Sequence, residues 1–290
     1  MAQEAWGLWG AEDEAGAPNR ITAEHVRLAA TLVRTGQVIG LAQPISPQLP
    51  VPGHRAGVQH FMGRDGGDYA AGAKRPGGFQ FAEDTLILPL HMGTHIDALC
   101  HAWCDDRLYN GFSGNTVRST TRALRCGVDK IPPIVTRGVL LDVFGQRGSY
   151  SSDGKISRAE LQAAAAKSGV TLQEGDAVLV RTGWMESQDF RGKVDFNREP
   201  GIDVEAGLWL AESGVALIGA DNYAIEALPF PEGTLFPVHQ RLIRDYGIPL
   251  LENMVLHPLA EAGATVFLFI ATPLPIVGGT ASPVAPVAVL

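Results

Sequence analysis

The segment His91-Met92-Gly93-Thr94-His95-Ile96-Asp97-Ala98-Leu99-Cys100-His101 holds three of the chain's eight histidines together with a carboxylate. Imidazole nitrogens and a carboxylate oxygen at this spacing form a facial set of ligands suited to Zn²⁺, Mn²⁺ or Fe²⁺, with coordination positions left open for water. A lone histidine is more often structural than a ligand, but His91, His95 and Asp97 together point to a metal. A water on such a cation loses much of its pKa, and the cation also polarises a carbonyl oxygen, so the chemistry expected is hydrolysis. His101 follows Asp97 at i+4 and is expected to face the same cavity without joining the ligands. An imidazole that titrates near neutrality suits transfer of a proton to the leaving atom. The helical metalloprotease motif is excluded, because Met92 stands where that motif needs its glutamate.

The backbone that positions these groups is expected to be extended. A period of two puts His91, Gly93, His95 and Asp97 on one side, whereas a helix would turn Asp97 away and would have to accommodate two weak helix formers, Gly93 and Thr94. Residues 84–90 are apolar and partly β-branched, and they predict a buried strand that delivers the histidines to the end of a sheet. Further on, Pro237 suits the first turn of a short helix that carries His239 and stops at Gly247. Glu252 interrupts the apolar run Ile248 to Leu251. A carboxylate in a buried strand needs a cation or hydrogen bonds, which raises His239 and Glu252 above a surface histidine and a solvated glutamate.

The rest of the chain reads as alternating helices and strands. Thr22 caps a helix through Val33 that Gly36 ends; Ser157 and Glu160 form a capping box for a helix through Lys167; Asp203 opens a helix that ends at Gly214. Residues 138–143, 176–181, 215–220, 248–252 and 265–270 predict strands, and their near-continuous apolar character implies a sheet covered on at least part of both faces. Between Gln43 and Phe81 the chain is rich in Gly and Pro without sustained periodicity. This segment is either a lid carrying His54, His60, Phe61 and Met62 or an oligomer-contact arm or surface loop. Its glycines match neither a dinucleotide fingerprint nor a P-loop. The tail, residues 278–283, is turn-rich and is expected to brace the site or an interface.

The 290 residues, 46% of them hydrophobic, suffice for a sizeable core in a single domain spanning 1–290. A formal net charge of −8 without clustered Lys and Arg argues against nucleic acid or an anionic membrane as partner, and leaves a small-molecule substrate. The N-terminus lacks the basic start and apolar run of a signal peptide, so a cytoplasmic location is expected. The three cysteines imply no disulfide framework; Cys100 and Cys104 flank His101 but lack the second pair of a zinc finger, and are expected to be buried thiols.

The pattern His91-x-Gly93-Thr94-His95-x-Asp97-x-x-x-His101 resembles the signature of the metal-dependent cyclase family, which includes kynurenine formamidases and isatin hydrolases. The likeness extends to Trp9-Gly10, residues 19–22, Ala98-Leu99-Cys100-His101, Tyr109-Asn110-Gly111, Arg181-Thr182-Gly183-Trp184, Pro200-Gly201-Ile202, Gly219-Ala220-Asp221-Asn222 and residues 279–283. It implies an α/β chain with the swivelling β/β/α fold, and one Mn²⁺ or Zn²⁺ on His91, His95 and Asp97. It also implies His101 as acid/base, with Glu252 and His239 completing the metal site, a second ion or the substrate contacts, and assembly as a homodimer or homotetramer. Shorter members usually carry proline where this chain has Leu99; no ligand position changes. The expected activity is opening of small cyclic amides, imides or lactones by metal-activated water, with Trp9 and Phe61 as candidate apolar walls. The alternatives are an arylformamidase of the kynurenine formamidase type, a cyclase or dehydratase acting on a carbonyl, and a non-catalytic binder.

Overall fold

Apolar, β-branched stretches build the centre of the molecule. In the computed structural model, which describes residues 5–152, 154–187 and 194–290, they form a mixed sheet of nine strands. In chain order the strands used below are β1 (Val38–Gly40), β2 (Gln59–Arg64), β3 (Glu83–Ile87), β4 (His95–Asp97), β5 (Ile134–Asp142), β6 (Ala177–Arg181), β7 (Leu217–Ala220), β8 (Leu250–Glu252), β9 (Val266–Ala271), β10 (Ala281–Pro283) and β11 (Val287–Val289). The sheet runs β1-β11-β9-β5-β6-β7-β8-β4-β10, while β2 and β3 pair only with each other. Its centre, β5 through β8, is parallel, and β4 lies antiparallel to both β8 and β10. Burial is continuous along β6 residues 177–180 and all of β7, as expected for strands covered on both faces. Gly138 in β5 is required by packing, since a Cβ there would lie 2.2 Å from the Phe267 ring.

Local signals set the helices. Helix α1 (Ala23–Ala30) is capped by Thr22, and α2 (Arg158–Lys167) opens on the reciprocal Ser157–Glu160 box. In α3 (Val204–Glu212) the Asp203 carboxylate accepts from Ala206 N at 2.8 Å. Pro237 opens α4 (Pro237–His239), which continues as one wider π turn over Gln240–Asp245. Helix α1 stops at Ala30, before the expected Gly36. Thr35 and Gly36 instead donate their N–H groups to the Leu290 carbonyl, tying the loop to the end of the chain.

The sequence-based expectation fails at residues 84–90. There β3 is exposed throughout and forms a hairpin with β2, away from the central sheet. Asp84 and Thr85 suit a wet ribbon, and Pro89 cannot donate to an interior ladder. The chain then bends, with Gly93 at φ +56°, so the extended run is confined to His95–Asp97. The Gln43–Phe81 segment is correspondingly not wholly irregular; it contains β2 and a short helix, Gly66–Ala70.

The N-terminal aromatics pack on the body. Trp6 Nε1 donates to the Arg244 carbonyl at 2.7 Å, Arg20 sits over the Trp9 ring, and the Asn110 side chain clasps Gly7 and Gly10. Residues 1–4, on which the reading of the N-terminus rests, lie outside the described residues. Among the described residues no helix is long and apolar enough to cross a membrane. Cys100 is buried as expected, but Cys104 is only partly so.

Candidate functional site

Strand β4 places His95 and Asp97, both fully buried, on one face of the sheet, with Ile96 on the other in the core. The β4–β8 register sets Glu252 directly across from His95, and Leu251 across from Ile96. Cross-strand neighbours on one face are in side-chain contact. The carboxylate that interrupts the apolar run of β8 is thereby delivered to the histidines. From the neighbouring helix, His239 brings its Nε2 to 3.2 Å from Glu252 Oε1 and 3.7 Å from Asp97 Oδ2.

The bend before β4 turns His91 back onto the same spot, where its Nδ1 lies 2.8 Å from Asp97 Oδ1 and its Nε2 3.0 Å from Thr280 Oγ1. Thr280 also accepts Ala98 N through its carbonyl, so the tail does brace the site. His101 lies past the strand, its Nε2 3.8 Å from Asp97 Oδ2, and its ring lies tilted against that of His91 with the centroids 4.0 Å apart. Its side chain is 29% exposed, the most open of the cluster. The structure thus brings together all six residues singled out in the sequence, although His91 arrives by a turn and not along a continuous strand.

Two hydrogen bonds fix which nitrogen each buried histidine presents. His95 Nδ1 faces the Gly93 carbonyl at 2.8 Å. A carbonyl only accepts, so that nitrogen carries the proton and Nε2 is left with a lone pair in the neutral ring. His239 Nδ1 likewise donates to Glu226 Oε1 at 2.7 Å, leaving Nε2 directed at Glu252. Glu226 is itself buried and anchored by Val238 N and His239 N, both at 3.1 Å. This orienting carboxylate escaped the sequence reading. Its only signal is the one that selected Glu252, a charge inside an apolar run, here Ala224 to Leu228.

The charges are unbalanced in one direction. Burial opposes ionisation of Asp97, yet His101, His91 and His95 outweigh it and hold the carboxyl well below its usual range. Burial acts against a charged His239 as well, but the Glu226 and Glu252 carboxylates push its pKa up to about 10. For His101 burial prevails over Asp97 and lowers the pKa to about 4, which leaves the ring neutral near pH 7.

His95 Nε2, Asp97 Oδ2 and Glu252 Oε1 are all buried without a hydrogen-bond partner. His95, Asp97 and Glu252 also bring one ligand atom each to within 4.8 Å of one another, as do His91, Asp97 and His101. Orphaned buried acceptors of this kind call for a partner, and a divalent cation with N and O ligands is one that all three satisfy at once.

A cavity of about 410 Å³ opens onto this cluster, lined among others by His54, Arg55, His101, Trp103, Tyr223, Phe236, His239 and Glu252. Neither Trp9 nor Phe61 is on its wall. Trp9 packs against Arg20 and Phe61 lies on the exposed hairpin. Tyr223 is held in place by the Glu199 carboxylate, which accepts Tyr223 N at 2.8 Å and Ala224 N at 2.7 Å. The neighbouring Asp221 accepts Thr182 N and Gly183 N, so three of the sequence segments noted above, at 181–184, 200–202 and 219–222, interlock behind that ring.

A family model described as a putative cyclase matches residues 39–227. A solved structure described as a novel cyclase is 36% identical, covers 99% of this chain and 100% of its own, and superposes with a TM-score of 0.91. Isatin hydrolase A from Labrenzia aggregata is 23% identical, with 90% of this chain and 95% of that one covered and a TM-score of 0.66. Isatin hydrolase A from Ralstonia solanacearum is 24% identical, with 92% and 95% covered and a TM-score of 0.65. No curated protein matches the chain.

Proposed function

The chain belongs to the cyclase family, and from that premise we propose that it is a metal-dependent hydrolase opening small cyclic amides, imides or lactones. The observation that carries the proposal is the convergence of His95 Nε2, Asp97 Oδ2 and Glu252 Oε1, buried and without a hydrogen bond, beside a cavity. The isatin hydrolases, whose fold this chain shares, are named for a cyclic amide substrate and support the choice of class.

In this reading His91, His95, Asp97 and Glu252 hold one Mn²⁺ or Zn²⁺. His91 is held at the cluster by Asp97 Oδ1, 2.8 Å from its Nδ1, and Thr280 Oγ1, 3.0 Å from its Nε2. When bound, the cation polarises a substrate carbonyl and lowers the pKa of water beside it. His101, neutral and facing the cavity, takes the proton that water loses on adding to the carbonyl carbon. It returns that proton to the nitrogen or oxygen that departs as the C–N or C–O bond breaks. His239, its ring oriented by Glu226, orients the substrate or shares the cation. Tyr223, Trp103 and Phe236 supply flat apolar walls for a ring.

The experiment is a hydrolysis screen over isatin, N-formylkynurenine, γ-lactams and unsaturated lactones, with metal analysis on the same sample. A ring-opened product heavier by one water, with stoichiometric Mn or Zn, is the expected result. Protein without bound metal, or a product formed by loss of water, overturns the reading.

A further inference from the structure

Arg55 stands on the wall of the cavity, on the Gly- and Pro-rich segment, and has no ion-pair partner among the described residues. Its Nη1 donates to the His91 carbonyl, and its guanidinium carbon lies 5.4 Å from the centre of the Tyr223 ring. These two contacts fix the fork in place, one as a hydrogen bond and the other as a cation–π contact. Among the described residues no carboxylate forms a salt bridge with it. The nearby acids are engaged elsewhere: Asp97 and Glu252 face the histidines, Glu226 holds His239, and Glu199 holds the backbone at Tyr223.

A cation left unpaired beside acids that are all engaged elsewhere is a recognition element for an anion. From this placement we infer that Arg55 forms the anion-binding subsite of the cavity, and that the substrate is a planar, carboxylate-bearing molecule. Its ring lies along Tyr223, its carboxylate meets the free edge of the guanidinium, and its hydrolysable carbonyl faces His101. The inference rests on the hydrolase reading for the orientation of the carbonyl, but the subsite itself is a matter of binding. The carboxylate meant is one the substrate already carries; the one released by ring opening forms at the His95–Asp97 end.

The test is calorimetric titration of the metal-loaded protein with benzoate and with benzamide, which share a ring and differ in charge. The wild type is expected to bind benzoate roughly tenfold or more tighter than benzamide. Arg55→Met should abolish that preference with benzamide affinity unchanged, and Arg55→Lys should restore part of it, because a point charge lacks the fork. Equal affinities in the wild type, no binding of benzoate at millimolar concentration, or a preference that survives in Arg55→Met each overturns the subsite. The last result would assign the anion to the metal end. Failure of the subsite is distinguishable from failure of the hydrolase reading. In the first case metal content and turnover of neutral lactams persist without an anion preference; in the second, neither metal nor turnover is found.

Discussion

His60 on the β2–β3 hairpin and His239 beside β8 each set a ring nitrogen against a carboxylate oxygen, 2.5 Å from Asp84 and 2.7 Å from Glu226 respectively. The first pair lies on an exposed ribbon, where both side chains are about half in water. The second is almost wholly buried, and its free nitrogen points at two further carboxylates. Residue types and distances are nearly the same; the surroundings differ. In water the exposed pair exchanges one set of hydrogen bonds for another and gains little. In the interior the same pairing orients the ring and, together with Glu252, favours its charged form, so that Nε2 is held inside the cluster beside the cavity.

The largest test of that contrast is at the centre of the buried cluster. His95→Ala should lose stoichiometric metal and lower kcat/KM by more than about 10⁴-fold, beyond what one proton-transfer group contributes. Chelation of the wild type should lower its melting temperature, since a ligand present at about a hundred times its Kd stabilises by about 2.7 kcal/mol. The same chelator should leave the His95→Ala variant unmoved. Metal analysis and calorimetry check both, and a His95→Ala protein that keeps its full complement of metal removes the contrast altogether.

His101→Ala comes next. It is expected to retain metal while kcat falls by about 10²–10⁴-fold, the range for a positioned proton-transfer group. Steady-state kinetics with metal content measured on the same sample decides it. A variant that hydrolyses at the wild-type rate gives the proton-transfer role to another residue. A smaller effect is expected at Glu226→Gln, where His239 keeps its place but loses the anionic partner of its Nδ1–H. Metal affinity should weaken by about 10–100-fold, read by competition with a chromophoric chelator. No weakening would place Glu226 on a par with Asp84.

The same contrast explains what the sequence made legible. Helix caps at Thr22, Ser157 and Asp203 are local chemistry, satisfied within one turn of the residue concerned, and they fall where expected. The gathering of His95 and Asp97 was readable from spacing, and Glu252 from a charge placed among apolar neighbours. The displacement of residues 84–90 was not readable, because it depends on whether the chain bends at Gly93 and on which strand β3 finds as a partner. Arg55 was out of reach as a site residue, and for Thr280 only the bracing role of the tail was readable, not the contact with His91. Their roles come from loops that are distant in sequence and are set against His91 only by the folded sheet.

The smallest predicted effect is at His60→Ala, and it bears most directly on the comparison. Exposed ion pairs contribute about 0–1 kcal/mol and are screened by salt. His60 lies on an exposed strand, and its side-chain hydrogen bond among the described residues is to Asp84, so little packing is lost with it. The variant should therefore unfold in urea within about 0.5 kcal/mol of the wild type, keep its metal, and hydrolyse substrate at an unchanged kcat/KM. Asp84→Asn should behave in the same way, and the double variant should match the sum of the two. A loss of metal or a tenfold drop in kcat/KM at His60→Ala would mean that the hairpin closes over the cavity in the working enzyme. His60 would then belong to the site, and burial would be a property that the hairpin acquires on closing and not one that separates it from β4.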